Sequence, residues 1–239
     1  MKRTFIFIGI ILLGVVGLSS CNVFYEDTGS GIIETEYRRA GYFNRIELDF
    51  AAEVILTQGP ARDIQIEAES NIIPRIITRI SGNTLILDSN GGWYTSKKVK
   101  IWIQTPDIYS IDVASSGRVI SDNKIYGKSI DLRLSGSGLI DVAVDMKNDV
   151  NAELSSSGLI FLEGDAKNAI YTLTGSGKIE SFGLHVDNSD VDINGSGRCE
   201  TTAYYNLDVY ITGSGTVWFK GDPRISRKIS GSGRIVDAN

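Results

Sequence analysis

A four-residue turn, Ser135-Gly136-Ser137-Gly138, recurs along the second half of this chain. It returns as Ser155-Ser156-Ser157-Gly158, Thr174-Gly175-Ser176-Gly177, Asn194-Gly195-Ser196-Gly197, Thr212-Gly213-Ser214-Gly215 and Ser230-Gly231-Ser232-Gly233, and a weaker copy, Ala114-Ser115-Ser116-Gly117, precedes them. The closing glycines are Gly117, Gly138, Gly158, Gly177, Gly197, Gly215 and Gly233, with steps of 21, 20, 19, 20, 18 and 18 residues. A near-constant step of this size marks a stacked repeat, in which each unit buries its apolar face only against its neighbours.

The residues around each turn say what is stacked. Four places before the closing glycine stand Val113, Leu134, Leu154, Leu173, Ile193, Ile211 and Ile229. Six before stand Ile111, Leu132, Ala152, Tyr171, Val191, Val209 and Arg227, and two after stand Val119, Ile140, Ile160, Ile179, Cys199, Val217 and Ile235. Between them, five before, the residues are Asp112, Arg133, Glu153, Thr172, Asp192, Tyr210 and Lys228. Alternation with period two is the strand signature. The repeats contain no run with helical spacing long enough to act as a crossover helix. Equivalent strands about 20 residues apart must therefore lie parallel, one coil over the next, at about 4.8 Å per coil. The fold expected is all-β: a parallel β-helix or β-solenoid with coils of 18–21 residues.

The turn glycines are read as structural, allowing φ > 0 at a sharp corner while Ser and Thr hydroxyls bond the nearby backbone. Glycine-rich repeats that bind calcium carry an Asp in each turn, and these turns have none. Asn148, Asn168, Asn188 and Asn206 recur nine or ten residues before the closing glycine and are read as a second, left-handed corner.

The N-terminal part has a different character. Lys2 and Arg3 precede an apolar run from Phe5 to Val16, and Leu18-Ser19-Ser20-Cys21 follows. This is the form of a secretory signal. The small residues before a cysteine resemble the bacterial lipobox, so residues 1–20 are expected to be a lipoprotein signal peptide and Cys21 the lipidated residue. Asn22 in place of Asp favours the outer membrane, facing either the periplasm or the cell surface. Residues 21–38 read as a lipidated tether, and residues 39–239 as one β-helical domain. Within it, 39–108 form an irregular β section closing the upper end and 109–239 form the regular coils.

Composition narrows the partners. The chain has 24 basic and 29 acidic residues; without Lys2 and Arg3 the balance is 22 to 29, a net charge of −7. That excludes nucleic acid as a partner class. His185 is the only histidine, so a histidine metal cluster cannot form within one chain, and no G-x-S-x-G elbow supplies a nucleophile for it. No metal, cofactor or catalytic residue is assigned. Cys199 falls in an inward position and is read as a small apolar residue. Asp112, Arg133, Glu153 and Asp192 form an outward column. β-helical polysaccharide lyases and hydrolases use such a column, but its alternating signs equally fit charge pairing between coils. The candidate binding residues are aromatic: Trp93 and Tyr94 on a Gly-rich loop, and Tyr204, Tyr205 and Trp218 in the later coils, where exposed rings would stack on sugars or anchor protein contacts.

Several segments in a fixed order carry a family resemblance. They are Phe43-Asn44-Arg45-Ile46-Glu47-Leu48, Val54-Ile55-Leu56-Thr57-Gln58-Gly59, Ile64-Gln65-Ile66-Glu67-Ala68, Gly82-Asn83-Thr84-Leu85-Ile86-Leu87, Val99-Lys100-Ile101 and the Gly-Ser-Gly turns. Together they resemble the head GIN domain family of auto-transporter adhesins, common in Bacteroidetes, over roughly residues 39–239. The resemblance implies an exported β-helical domain and supplies no catalytic residues. The function expected is a lipid-anchored, non-enzymatic binding protein of the cell envelope, an adhesin for a glycan or surface protein. A carbohydrate-active enzyme on the same scaffold and a structural or envelope-sensing module are the alternatives.

Overall fold

The computed structural model describes residues 27–95 and 97–239. The signal segment and Cys21 lie outside the described residues. The chain is a parallel β-solenoid, and its columns are the ones the alternation requires. Ile111, Leu132, Ala152, Tyr171, Val191, Val209 and Arg227 are successive register partners, as are Val113, Leu134, Leu154, Leu173, Ile193, Ile211 and Ile229. Past the turn, Val119, Ile140, Ile160, Ile179, Cys199, Val217 and Ile235 pair in the same way. All but the members in the last coil are buried: Arg227 is exposed, and Ile229 and Ile235 are half-buried. A fully buried Val, Leu or Ile contributes about 1.5–3 kcal/mol, so these columns hold the stack together.

The first three coils are not stacked in chain order. Arg45–Leu48 pairs on one side with Ser110–Val113 and on the other with Thr84–Ser89. Glu53–Gln58 likewise lies between Arg118–Ser121 and Lys100–Thr105. The chain thus builds its second level first, climbs to build the top level over residues 84–105, then descends past the first coil to begin the regular series. Above the top level the direction of pairing changes. Ile76–Ser81 forms an antiparallel hairpin with Thr84–Ser89, and Ile64–Glu69 runs antiparallel to Lys100–Thr105. These strands lid the upper end of the core, the place assigned to the irregular section.

Three expectations are corrected by the structure. The segment expected to be a tether is partly built into the lid: Ile33–Arg38 pairs antiparallel with Ile64–Glu69, and Asp27–Thr28 pairs with Trp93–Tyr94. Gly31 N–H donates to the buried Glu69 carboxylate at 2.6 Å, and Ser30 N–H to Asn71 Oδ1 at 2.8 Å. The strand is exposed along most of its length, so backbone pairing rather than an apolar face holds it.

The asparagines are not left-handed corners, since no non-glycine described residue has positive φ. They form a side-chain ladder instead. Asn168 Nδ2 donates to Asp149 Oδ1 at 2.8 Å, Asn188 Nδ2 to Asn168 Oδ1 at 2.9 Å, and Asn206 Nδ2 to Asn188 Oδ1 at 2.6 Å. Asn148 is off the ladder because a register irregularity puts Asp149 opposite Asn168.

The closing glycines, too, are required for a different reason. None of the seven has positive φ; the left-handed residues are the preceding Gly175, Gly195, Gly213 and Gly231. A Cβ on Gly138 would sit 2.1 Å from Gly117 O, and one on Gly215 2.5 Å from Ile193 Cγ2. Close approach of one coil to the next, not backbone freedom, demands glycine there. In the Ala114-Ser115-Ser116-Gly117 turn, where Ser115 takes the first-glycine place, its Oγ does the bonding: it accepts from Gly117 N–H at 3.1 Å and donates to Phe50 O at 2.9 Å.

Candidate functional site

The outward column of Asp112, Arg133, Glu153, Thr172, Asp192, Tyr210 and Lys228 is in continuous register. Arg133 Nε lies 3.6 Å from Glu153 Oε2, with both side chains about half exposed, so it is a surface ion pair. Above Asp112 the column continues to Glu47. Burial, then the neighbouring acids, pushes the carboxyl of Glu47 above its ordinary value, with Asp49 the strongest of them. Burial also raises Asp112, offset by Arg133. These acids sit on a sheet surface and none of them lines the cleft described below. His185 stacks on Tyr204 with ring centroids 6.2 Å apart, and its Nδ1 lies 3.7 Å from Asp165 Oδ1. Among the described residues no group of three His, Cys, Asp or Glu side chains could hold a metal ion.

The five candidate aromatic residues have different settings. Trp93 is half-buried, packed on the core with its ring edge-on to Phe50 at 5.8 Å. Tyr94 is placed in a two-residue strand beside Asp27–Thr28. Trp218 is half-buried, and the Arg198 guanidinium lies 4.7 Å over its ring. Tyr204 and Tyr205 are well exposed, at 50% and 65%.

A better-formed aromatic site lies where the chain descends into the regular series. Asp107, Tyr109, Tyr126, Lys128, Asp131 and Lys147 line a cleft of about 710 Å³. Tyr109 is 44% exposed and Tyr126 60%. The walls are fixed from within. Gln58 Nε2 donates to the carbonyls of Pro106 and Tyr126, each at 3.0 Å, and its Oε1 accepts from Tyr126 N–H at 2.8 Å. Tyr109 N–H donates to Asn44 O at 2.7 Å, and Tyr109 O accepts from Asp131 N–H at 3.0 Å. Tyr42 OH donates to Asp107 Oδ2 at 3.2 Å, and Asn151 Nδ2 to Asp131 Oδ1 at 2.8 Å. Sequence reasoning missed both tyrosines of the cleft. Tyr126 could have been found, because it follows the inward Ile125. Tyr109 could not: strict alternation with Ile111 puts it inside, but Ser110 and Ile111 are both buried, and the parity flips at that corner.

The fold defines the class: a short parallel β-solenoid with an antiparallel lid. The chain belongs to the family described as "Putative auto-transporter adhesin, head GIN domain", whose model matches residues 42–223. That is the family the motif order pointed to. Among solved structures, the chain is similar to a putative adhesin from Bacteroides fragilis at 26% identity and a TM-score of 0.83, with 88% of this chain and 99% of that one covered. A putative lipid binding protein from Parabacteroides distasonis, at 24% identity and a TM-score of 0.71, covers 90% of this chain and 100% of its own. A putative adhesin from Parabacteroides merdae, at 21% identity and a TM-score of 0.69, covers 90% and 99%. The last two share the fold. Among curated proteins, nothing matches the chain. Family and neighbours together indicate an adhesin-like protein of the cell surface or envelope.

Proposed function

We propose that this chain is a lipid-anchored binding protein of the bacterial cell envelope, an adhesin without catalytic activity, held on the outer membrane through Cys21. The observation that carries the binding reading is the rigid cleft with two open tyrosine rings, on a scaffold shared with a putative adhesin at 26% identity. Leu18-Ser19-Ser20-Cys21 supports the anchor, since several acyl chains on one cysteine hold a protein far more firmly than one. A glycosidase needs two carboxyl groups closing on either side of a bound sugar. Glu47, Asp49 and Asp112 lie on a sheet surface outside the cleft, and the cleft's own carboxylates, Asp107 and Asp131, are each held by a hydrogen bond from Tyr42 OH or Asn151 Nδ2, which favours binding over cleavage.

Two measurements test this, one on producing cells and one on the isolated protein. Radiolabelled fatty acid should enter the wild-type protein and not the Cys21→Ser variant, which should leave the membrane fraction. Beads coated with the protein should adhere to a glycan and matrix-protein array without releasing any product. Label in the serine variant would overturn the anchor. Absence of adhesion across the array, or turnover of any arrayed glycan, would overturn the binding function.

A further inference from the structure

We propose that the cleft at Tyr109 and Tyr126 takes an acidic saccharide, a sugar unit bearing a carboxylate or sulfate. This rests on the binding function above and narrows its ligand. Four observations carry it. First, the two tyrosines present open rings on one concave surface, and the C–H face of a pyranose stacks on such rings.

Second, the charges in the cleft are not equally free. The carboxylates of Asp107 and Asp131 already accept hydrogen bonds from Tyr42 OH and the Asn151 amide. Lys128 and Lys147 are exposed, and neither forms an ion pair among the described residues. The ammonium groups therefore remain as donors for an anion, while the carboxylates keep lone pairs for sugar hydroxyls.

Third, the two lysines come from consecutive coils: Asn148 N–H, beside Lys147, donates to Lys128 O at 2.8 Å. Coils are about 4.8 Å apart, so both ammonium groups can reach one anionic group. Fourth, Gln58 and the inter-coil hydrogen bonds fix the backbone that carries both tyrosines, which lowers the ordering cost of binding. A bare anion would leave the rings unused, and a neutral sugar would leave the lysines unused.

The test uses the full-length lipoprotein in detergent and a panel of oligosaccharides bearing uronate, sialate or sulfate, each beside its uncharged counterpart, with inorganic phosphate as a further probe. At least one acidic oligosaccharide should bind ten-fold or more tightly than its neutral counterpart. Tyr126→Ala should weaken that binding ten-fold or more. Lys128→Gln combined with Lys147→Gln should weaken it similarly and flatten its salt dependence. All three side chains are exposed, so unchanged unfolding curves are expected. Equal affinity for charged and uncharged members would overturn the proposal, as would full competition by phosphate with no effect of Tyr126→Ala. If the variants keep wild-type affinity while the protein still adheres to the array, the site lies elsewhere and the adhesin function stands. If the wild type adheres to nothing, the function itself falls.

Discussion

Replacing Gly138 by alanine tests the stacking geometry most directly. The turns at Gly138 and Gly197 have nearly the same sequence, Ser-Gly-Ser-Gly and Asn-Gly-Ser-Gly, so propensity assigns them the same cost. The structure does not. A Cβ on Gly138 would stand 2.1 Å from Gly117 O and 3.0 Å from Ser115 O, both backbone atoms of the coil above. Restoring ordinary contact needs a shift of about 1 Å. Gly117 O is also the acceptor for Leu139 N–H at 3.1 Å, so the shift breaks an inter-coil hydrogen bond. Overpacking of about 1–3 kcal/mol plus a hydrogen bond of about 1 kcal/mol puts the loss near 3 kcal/mol. A Cβ on Gly197 would meet Gly177 O and Leu173 Cδ2, each at 3.1 Å, and a few tenths of an ångström relieves both. That substitution should cost about 1 kcal/mol. Urea unfolding followed by far-ultraviolet circular dichroism measures both. Because a solenoid is held by nearest-neighbour interfaces, Gly138→Ala should also lower the m-value as the coils above and below separate. A Gly138→Ala variant within about 0.5 kcal/mol of wild type, or one more stable than Gly197→Ala, would refute close approach as the reason for the glycine.

Two further outcomes follow from the ladders. Asn188→Ala removes a donated and an accepted side-chain hydrogen bond, at 2.9 and 2.6 Å, and should cost about 1–2 kcal/mol in the same unfolding assay, whereas Asn148→Ala, off the ladder, should be nearly neutral. On pH, burial and then neighbouring acids raise the carboxyls of Glu47, Asp141 and Asp190, and burial raises Asp112; Lys98 lowers Glu53. An acid raised in the folded chain binds its proton before the unfolded chain does as pH falls. Stability should therefore rise from neutral pH through the raised values and level off below the unfolded carboxyl range near about 4. The lowered Glu53 acts in the opposite sense, losing its stabilisation as pH falls through its folded value. Four groups against one predict a higher melting temperature at pH 5 than at pH 7. Asp190→Asn should raise the value at pH 7 and shrink the difference; a wild type that melts lower at pH 5 would overturn this reading.

The regular coils were legible residue by residue because two periods coincide. Alternation chooses the side of each residue, and the step of 18–21 residues chooses its partner in the next coil. Cys199 opposite Ile179 and Tyr171 opposite Ala152 both follow from counting alone. The upper end was not legible in this way. Thr84–Ser89 and Arg45–Leu48 are partners with no shared turn to align them, so nothing in the spacing shows that the first coil lies second in the stack. Ile33–Arg38 buries no apolar face, and its pairing leaves no periodic trace. The asparagine spacing was visible, but not its cause: side chain bonded to side chain across coils gives the same recurrence as a backbone corner. The partial burial of Trp93 and Trp218 was not legible either, because neighbouring aromatic residues do not say which ring turns inward.

A ladder that repeats every coil also limits what its surface can recognise. Each outward column presents the next residue at the same distance from the axis, and the groove beside Arg133, Glu153 and Thr172 holds only about 240 Å³ against about 710 Å³ at the cleft. A deeper concavity needs backbone that leaves the column. Here that backbone is the descent from Thr105 to Tyr109, which must pass the first coil because the top level was built after it, and which Gln58 pins from that same first coil. The cleft is thus a consequence of the out-of-order stacking. Outward substitutions in the lower coils, such as Thr172 or Tyr210, should then leave ligand binding unchanged, while Gln58→Ala, which touches no ligand-facing atom, should weaken it by freeing the walls. A cleft that bound as well without Gln58 would owe nothing to the descent, and its place in the fold would be incidental.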